Sequence, residues 1–194
     1  MHHIYHTDAI ILSSENGGEA DKNFLLYTKE LGFIYAKAQG IRYEKSKLRF
    51  ALQAYSLARL SLVKGKAVWR ITTATPLALF YNKEVPTFVF ETFQNVTNTL
   101  KELVPGEIPD KRIFEDLRNA FLYMSGQKIT NEQVKDVELC LLLRILYYLG
   151  YVAESKDFAD ILEDTFSFYT FLYQNLSKKK VVQTINNALF ATAR

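Results

Sequence analysis

Short apolar segments separated by turn signals make up the chain through about position 76. The third segment alternates from residue to residue, with Ile34, Ala36 and Ala38 on one face and Tyr35 and Lys37 on the other. A period of two is typical of a strand with one buried face. The pattern predicts five strands, at 7–13, 22–29, 33–39, 55–63 and 67–75.

An amphipathic stretch at 45–53 interrupts the strands and predicts one or two helical turns, with Leu48 and Leu52 four residues apart. A Lys-Gly-Lys sequence at 64–66 predicts a tight hairpin between the fourth and fifth strands. Five short strands with a helical insert between the third and the fourth match a small Greek-key barrel of the oligonucleotide-binding type, the OB-fold. Periodicity alone leaves a different five-stranded barrel open.

After position 76 the spacing of apolar residues changes to that of helices. Residues 131–149 begin polar and become apolar all round, which is typical of the central helix of a bundle. The predicted helices are 89–103, 113–123, 131–149, 157–176 and 178–194. The predicted fold class is therefore α+β, with a five-stranded OB-fold barrel in 1–81 followed by an all-helical C-terminal domain in 82–194.

The composition excludes several classes of protein. Of the 194 residues, 48% are hydrophobic and four are proline, so a core can form and disorder is not expected. The single cysteine, Cys140, excludes a disulfide framework and a four-thiolate zinc cluster, and its apolar neighbours indicate a buried thiol. The sequence has no signal-peptide core and no apolar stretch of about 20 residues. It predicts a soluble, cytoplasmic protein that does not enter a membrane.

Positive charge is concentrated between positions 36 and 70. This window holds nine Lys or Arg residues and one acidic residue, Glu44, a local charge of +8 in a chain whose formal charge is +3. The predicted barrel carries eleven basic and six acidic side chains, whereas the helical part carries thirteen and fifteen. A concentrated positive field most often meets a polyanion such as nucleic acid. The alternative is a solvated face that keeps the protein soluble.

Aromatic side chains lie beside these cations, as in sites where bases stack on aromatic rings and cations follow the phosphates. Tyr35 is the better stacking candidate, whereas Phe33 fits packing and stacking equally well. Trp69 shares its face with apolar neighbours, so we assign it to the core. The candidate DNA-binding residues are Tyr35, Lys37, Arg42, Lys45, Lys47, Arg49, Lys64, Lys66 and Arg70.

Signals for catalysis or metal binding are weak. The three histidines, His2, His3 and His6, lie near the N-terminus with no carboxylate pattern beside them. The glycine pair at 17–18 lacks the Lys-Ser/Thr sequel of a phosphate-binding loop. We therefore expect no enzyme activity, no cofactor and no bound metal.

An aromatic-rich segment at 166–173 is the main candidate for a protein contact. Its aromatic side chains lie on more than one side of the predicted helix, so some of them must lie outside a bundle core. Packing between the two domains is the favoured interpretation, and a partner protein is the alternative. The second function class for the chain is therefore a helical adaptor with only weak DNA binding.

Several short motifs between positions 7 and 77 give the chain a resemblance to a known family. They are Gly-Glu-Ala-Asp-Lys at 18–22, Thr-Lys-Glu-Leu-Gly at 28–32, Gly-Ile-Arg at 40–42, Lys-Ser-Lys at 45–47, Ala-Leu-Gln at 51–53 and Tyr-Ser-Leu at 55–57. In this order they resemble the N-terminal domain of the bacterial RecO recombination mediators. The stretch 138–151, which ends in Leu-Gly-Tyr, is similar to the family's central helix, and the tail from 178 is a weaker match.

The resemblance implies an OB-fold followed by a helical domain, and no catalytic residues. Family members bind single- and double-stranded DNA, anneal complementary strands, and work with RecR to load RecA onto strands coated by single-strand-binding protein. They contact the acidic, apolar C-terminal tail of that protein through the helical domain. The resemblance thus implies DNA, RecR and that tail as partners.

This sequence departs from the family pattern in two respects. The family implies a longer chain, chiefly after Tyr151. Many members also carry a four-cysteine zinc motif just after the central helix, and here Cys140 is the only cysteine, so we expect no zinc ion.

Overall fold

The first strand joins both sides of a closed five-stranded sheet. Strand β1, Ile4–Asn16, pairs antiparallel with β2, Lys22–Thr28, and with β4, Ser56–Lys64. A register shift between Ile11 and Ser13 bends β1, as an extra residue in one strand of a pair does. The computed structural model describes residues 3–79, 85–104, 106–126, 128–162 and 178–192.

The remaining two strands complete the ring. Strand β3, Gly32–Ala38, is antiparallel to β2, and β5, Trp69–Leu79, is antiparallel to β4. The order is β1-β2-β3-β5-β4, and β3 runs parallel to β5 with Lys37 beside Arg70. The hairpin between β4 and β5 turns at Gly65, whose N–H donates to the carbonyl of Val68.

A single helix separates β3 from β4, as the sequence predicts, but it is shorter than the predicted stretch 45–53. Helix α1 spans Leu48–Ala51. The residues before it form two tight turns, in which the Tyr43 N–H donates to the carbonyl of Gly40 and the Ser46 N–H donates to the carbonyl of Tyr43. The five-stranded sheet, this insert and the helices that follow confirm the predicted α+β class.

Alternate side chains from every strand fill the inside of the ring. Ile11, Phe24, Ile34 and Leu60 are buried in one cluster, and Trp69 belongs to the same cluster. The assignment of Trp69 to the core is therefore confirmed. Because removing apolar surface from water is the dominant favourable contribution to folding, this cluster supplies most of the stability of the sheet.

Residues 104–118 group with the sheet, although they follow the first long helix in sequence. The carbonyl of Gly106 accepts a hydrogen bond of 3.2 Å from the Phe33 N–H, and Glu107 accepts one of 2.8 Å from the Trp69 indole. By its contacts, the first compact unit comprises Met1–Pro86 and Val104–Arg118.

Phe33 is a packing residue. Its ring centre lies 4.7 Å from that of Tyr27, and the Tyr27 ring in turn lies 6.2 Å from that of Phe114. All three side chains are buried. The alternative in which Phe33 stacks on a base is therefore not supported.

The second compact unit, Thr87–Leu103 together with Asn119–Arg194, is helical in its described part. Helix α4 begins with a capping box, in which the Thr130 hydroxyl accepts from the Gln133 N–H and the Gln133 side chain accepts from the Thr130 N–H. The described helices after the sheet are α2, Thr87–Leu103; α3, Lys111–Ser125; α4, Asn131–Tyr148; α5, Ala159–Leu162; and α6, Lys178–Thr192.

Two predictions about the helical half stay untested. The predicted helix 157–176 is described only as far as Leu162, and the aromatic segment 166–173 lies outside the described residues. The domain boundary that we place between 81 and 82 also stays a prediction.

Gly32 permits a close backbone approach in the first unit, and its replacement tests that packing. Gly32 has φ +70°, and a Cβ there would lie 2.5 Å from the carbonyl oxygen of Ile108. We expect Gly32→Ala to lower the free energy of unfolding by about 2–4 kcal/mol, because left-handed strain and a backbone clash add. Urea denaturation measures the change.

Gly106→Ala is the matched control. Gly106 has φ +82°, but nothing lies within 4 Å of its added Cβ. This variant should lose only the strain of about 1–2 kcal/mol. Equal losses in the two variants would mean that the approach of Ile108 to β3 is not tight.

Candidate nucleic-acid interface

The connection between β3 and α1 carries three of the predicted DNA-binding cations, Arg42, Lys45 and Lys47, on a loop that is held in place. Gly40, two residues after the end of β3, has φ +63°, and its N–H donates a 2.8 Å hydrogen bond to the Asp21 carboxylate. The Arg42 N–H donates to the carbonyl of Ala20 at 3.0 Å. The turn before β2 therefore fixes the start of this loop, from which the basic side chains project.

A cleft of about 550 Å³ opens beside this loop. Three cations from separate elements line it: Lys22 at the start of β2, Arg42 on the loop and Arg49 on α1. The other lining residues are Ser14, Ile41, Leu52, Gln53 and Ala54, so the residues that line the cleft include hydrogen-bonding groups and apolar groups but no carboxylate. Such a cleft can hold an anion.

Lys22 was missed by the sequence reasoning. It lies outside the basic window at 36–70, and as the first residue of a strand it gave no separate signal. Lys22 lines the cleft because β2 pairs with β3, which places Lys22 opposite Ala38, the last residue of β3.

Five of the predicted cations have no carboxylate partner among the described residues. Within the part of the chain that the structure describes, no ion pair involves the side chains of the following exposed residues: Arg42, Lys45, Lys47, Arg49 and Lys66. Their charge is available to a ligand, because no carboxylate has to be displaced first.

Two of the predicted cations, in contrast, have carboxylate partners. Lys37 lies 2.8 Å from Asp21, and Lys64 lies 3.2 Å from Glu107. Hydrogen bonds from Lys37 and the Gly40 N–H lower the pKa of Asp21, and the Trp69 indole followed by Lys64 lowers the pKa of Glu107. Both carboxylates therefore stay ionised at neutral pH and compensate the lysines.

The outward face of β3 carries the one predicted aromatic site residue. Tyr35 is 55% exposed, in agreement with the predicted alternation of the strand. Lys37 and Arg70 are neighbours across β3 and β5, and the Arg70 guanidinium donates a 3.2 Å hydrogen bond to the Gln39 side chain. The structure thus brings Lys37 and Arg70 together. Lys64 pairs with Trp69, the neighbour of Arg70, and Lys66 lies in the turn between β4 and β5.

Other kinds of site find little support among the described residues. In that part of the chain, no group of three or more His, Cys, Asp or Glu side chains is placed to hold a metal ion. His6 contacts the Ser61 hydroxyl at 3.1 Å on an exposed strand face, and Cys140 is buried. None of the described helices is both long enough and apolar enough to cross a membrane.

Comparison with known proteins points to one family. Residues 1–80 match the family described as Recombination protein O N terminal, whose OB-fold agrees with the five-stranded sheet. A DNA repair protein RecO of Heliobacterium modesticaldum is 32% identical over 152 residues, which cover 78% of this chain and 53% of that protein.

Two further relatives match shorter stretches of the chain. A DNA repair protein RecO of Desulfitobacterium hafniense is 35% identical over 77 residues, covering 40% of this chain and 28% of the relative. One of Dehalococcoides mccartyi is 38% identical over 80 residues, covering 41% of this chain and 32% of the relative. The chain thus matches about half or less of the length of these relatives.

The Asp21–Lys37 pair gives a direct test of charge compensation at this surface. We expect Asp21→Asn to raise the affinity for a single-stranded oligonucleotide about two- to fivefold at low salt, the range of an exposed ion pair. The asparagine oxygen can still accept the Gly40 N–H, while Lys37 loses its counter-charge. Fluorescence anisotropy titration measures the affinity.

Glu30→Gln removes the same charge at the other end of the β2–β3 hairpin. Glu30 pairs with Lys111 at 3.1 Å, and the seven residues of β2 put about 20 Å between the two ends. This variant should change the affinity less than Asp21→Asn. An equal rise in both variants would show that only the net charge of the protein matters.

Proposed function

We propose that this chain, whose residues 1–80 match the family described as Recombination protein O N terminal, is a RecO-family, non-enzymatic DNA-binding mediator of recombinational repair. It binds single- and double-stranded DNA, anneals complementary strands and assists the loading of RecA. RecR and the C-terminal tail of single-strand-binding protein are its protein partners, and the cytoplasm is its compartment. The relatives' name, DNA repair protein RecO, supports the general role.

One observation carries the DNA-binding part of this proposal. Five exposed cations on the loop, on α1 and beside the β4–β5 hairpin have no ion pair within the described chain. Each lysine or arginine that neutralises a phosphate releases condensed counterions, and this release gives affinity for DNA of any sequence. A surface of mobile cations with few base-reading groups suits a protein that acts wherever DNA is damaged.

The predicted residues contribute unequally in this proposal. Arg42, Lys45, Lys47, Arg49 and Lys66 supply the larger part of the affinity, since their charge is uncompensated. Lys37, Lys64 and Arg70 contribute less, because the lysines must leave a carboxylate and Arg70 is held by Gln39. Tyr35 stacks on a base.

Annealing follows from the same charges. Two complementary strands repel one another through their phosphates, and cations that neutralise both backbones at once lower this repulsion. Cations on separate elements, such as Lys47 on the loop and Lys66 beside the hairpin, can contact different strands. The reaction then needs no covalent step and no catalytic residue.

Removal of the loop cations tests the proposal. Replacing Arg42, Lys45, Lys47 and Arg49 together by Ser should reduce the slope of log affinity against log salt by about 3 for single-stranded DNA, at roughly 0.7 per phosphate contact. Annealing of complementary oligonucleotides should slow in parallel. Anisotropy titrations at several salt concentrations measure the slope, and a fluorescence-quenching assay measures annealing.

The matched control removes four exposed lysines of the second unit, namely Lys128, Lys135, Lys156 and Lys179, and so makes the same change in net charge. This four-lysine variant should keep most of the parent chain's slope of log affinity against log salt. Negligible DNA binding by the parent chain at low salt, or equal losses in the two variants, would reject the proposal in favour of the helical adaptor.

A further inference from the structure

A second depression adjoins the cationic cleft. It has a volume of about 320 Å³ and includes Lys47 and Phe50 in its lining. Arg49 and Gln53 line both depressions, so the two lie side by side along α1. The surface therefore offers an anion-binding cleft next to a site with an aromatic ring.

Phe50 lies outside the core cluster of the sheet. It is 64% exposed, whereas Ala51 and Leu52 beside it are buried in the core and Leu48 packs against that core. The apolar face of α1 is thus complete without Phe50. A phenylalanine on the opposite, cation-bearing face exposes a flat apolar surface beside Arg49 and Lys47.

The charges assign a different ligand group to each depression. Lys22, Arg42 and Arg49 converge on the cleft, which has no carboxylate in its lining. The depression at Phe50 includes the Glu44 carboxylate, which repels phosphate. A phosphate therefore fits the cleft, and an uncharged base fits the depression beside it.

We propose that α1 carries a subsite for one nucleotide of an unpaired strand, with the phosphodiester in the cleft of Lys22, Arg42 and Arg49 and the adjacent base stacked on Phe50. This inference rests on the proposed DNA binding and adds its strand specificity. A base in a duplex already stacks on both neighbours and pairs with its complement, so it cannot also cover a side-chain ring. Phe50 thus discriminates single strands from duplex, while the cations bind both.

Phe50→Ala tests the stacking contact in the full chain. Base–aromatic stacking is worth about 1–3 kcal/mol per base, so the affinity for a single-stranded oligonucleotide should fall about fivefold or more. The affinity for a duplex of the same length should stay within about twofold, and the salt slope should not change, because no charge is removed. Phe50→Trp should retain the single-strand affinity.

The matched control is Phe190→Ala, since Phe190 on α6 is 76% exposed and belongs to the second unit. It should leave both affinities unchanged. Circular dichroism of all variants confirms that they are folded.

An abasic strand of the same length separates stacking from phosphate contacts. The parent chain should bind it more weakly than the normal strand, and Phe50→Ala should cause no further loss on this ligand. Three results for Phe50→Ala would overturn the subsite. They are an equal loss of affinity for single strand and duplex, the same loss on the abasic strand as on the normal strand, and no loss on any ligand. In these cases the proposed function stands if the parent chain still binds DNA with the expected salt slope. The proposed function fails as well if the parent chain binds neither the single strand nor the duplex.

Discussion

The closure of the sheet through its first strand is the constraint on which the rest of this surface depends. Ala9 and Ile10 pair with β2 on one side and with β4 on the other, and a register shift in the β1–β2 pairing follows after Ile11. The antiparallel pairing of β2 with β3 places the end of β3 beside the start of β2. Asp21 and Ala20 then hold Gly40 and Arg42 by hydrogen bonds. The position of the basic loop is therefore a consequence of the strand order.

Within this frame the charge distribution divides into two classes. Cations at the strand and hairpin positions Lys37, Arg59 and Lys64 have carboxylate partners 2.8–3.2 Å away, whereas the cations of the loop and of α1 have none among the described residues. A DNA strand gains the full counterion release only where no internal carboxylate competes. The charge window in the sequence therefore overstates the number of cations that lack a carboxylate partner.

Much of the fold could be predicted from local patterns, but the details of the site could not. Alternation in the third strand placed Tyr35 outside, and the apolar neighbours of Trp69 placed it in the core, because both depend on the strand period alone. The ends of β1 at Ile4 and Asn16 could not be predicted from the sequence, since they are set by pairing with Val63 and Lys22 on other strands. The role of Lys22, and the pairing of Asp21 with Lys37 and of Glu107 with Lys64, were missed for the same reason. Each depends on a contact with a residue at least 16 positions away in sequence.

We propose that the uncompensated cations around α1 form the DNA-binding surface. Acetylation of the lysines, read out by mass spectrometry with and without a single-stranded oligonucleotide, tests this most directly. We expect DNA to protect Lys22, Lys45 and Lys47 strongly from acetylation. Lys29, which pairs with Glu115, and Lys179 on α6 should react equally in both states. Protection confined to the lysines of α6, with Lys45 and Lys47 unchanged, would contradict the proposal.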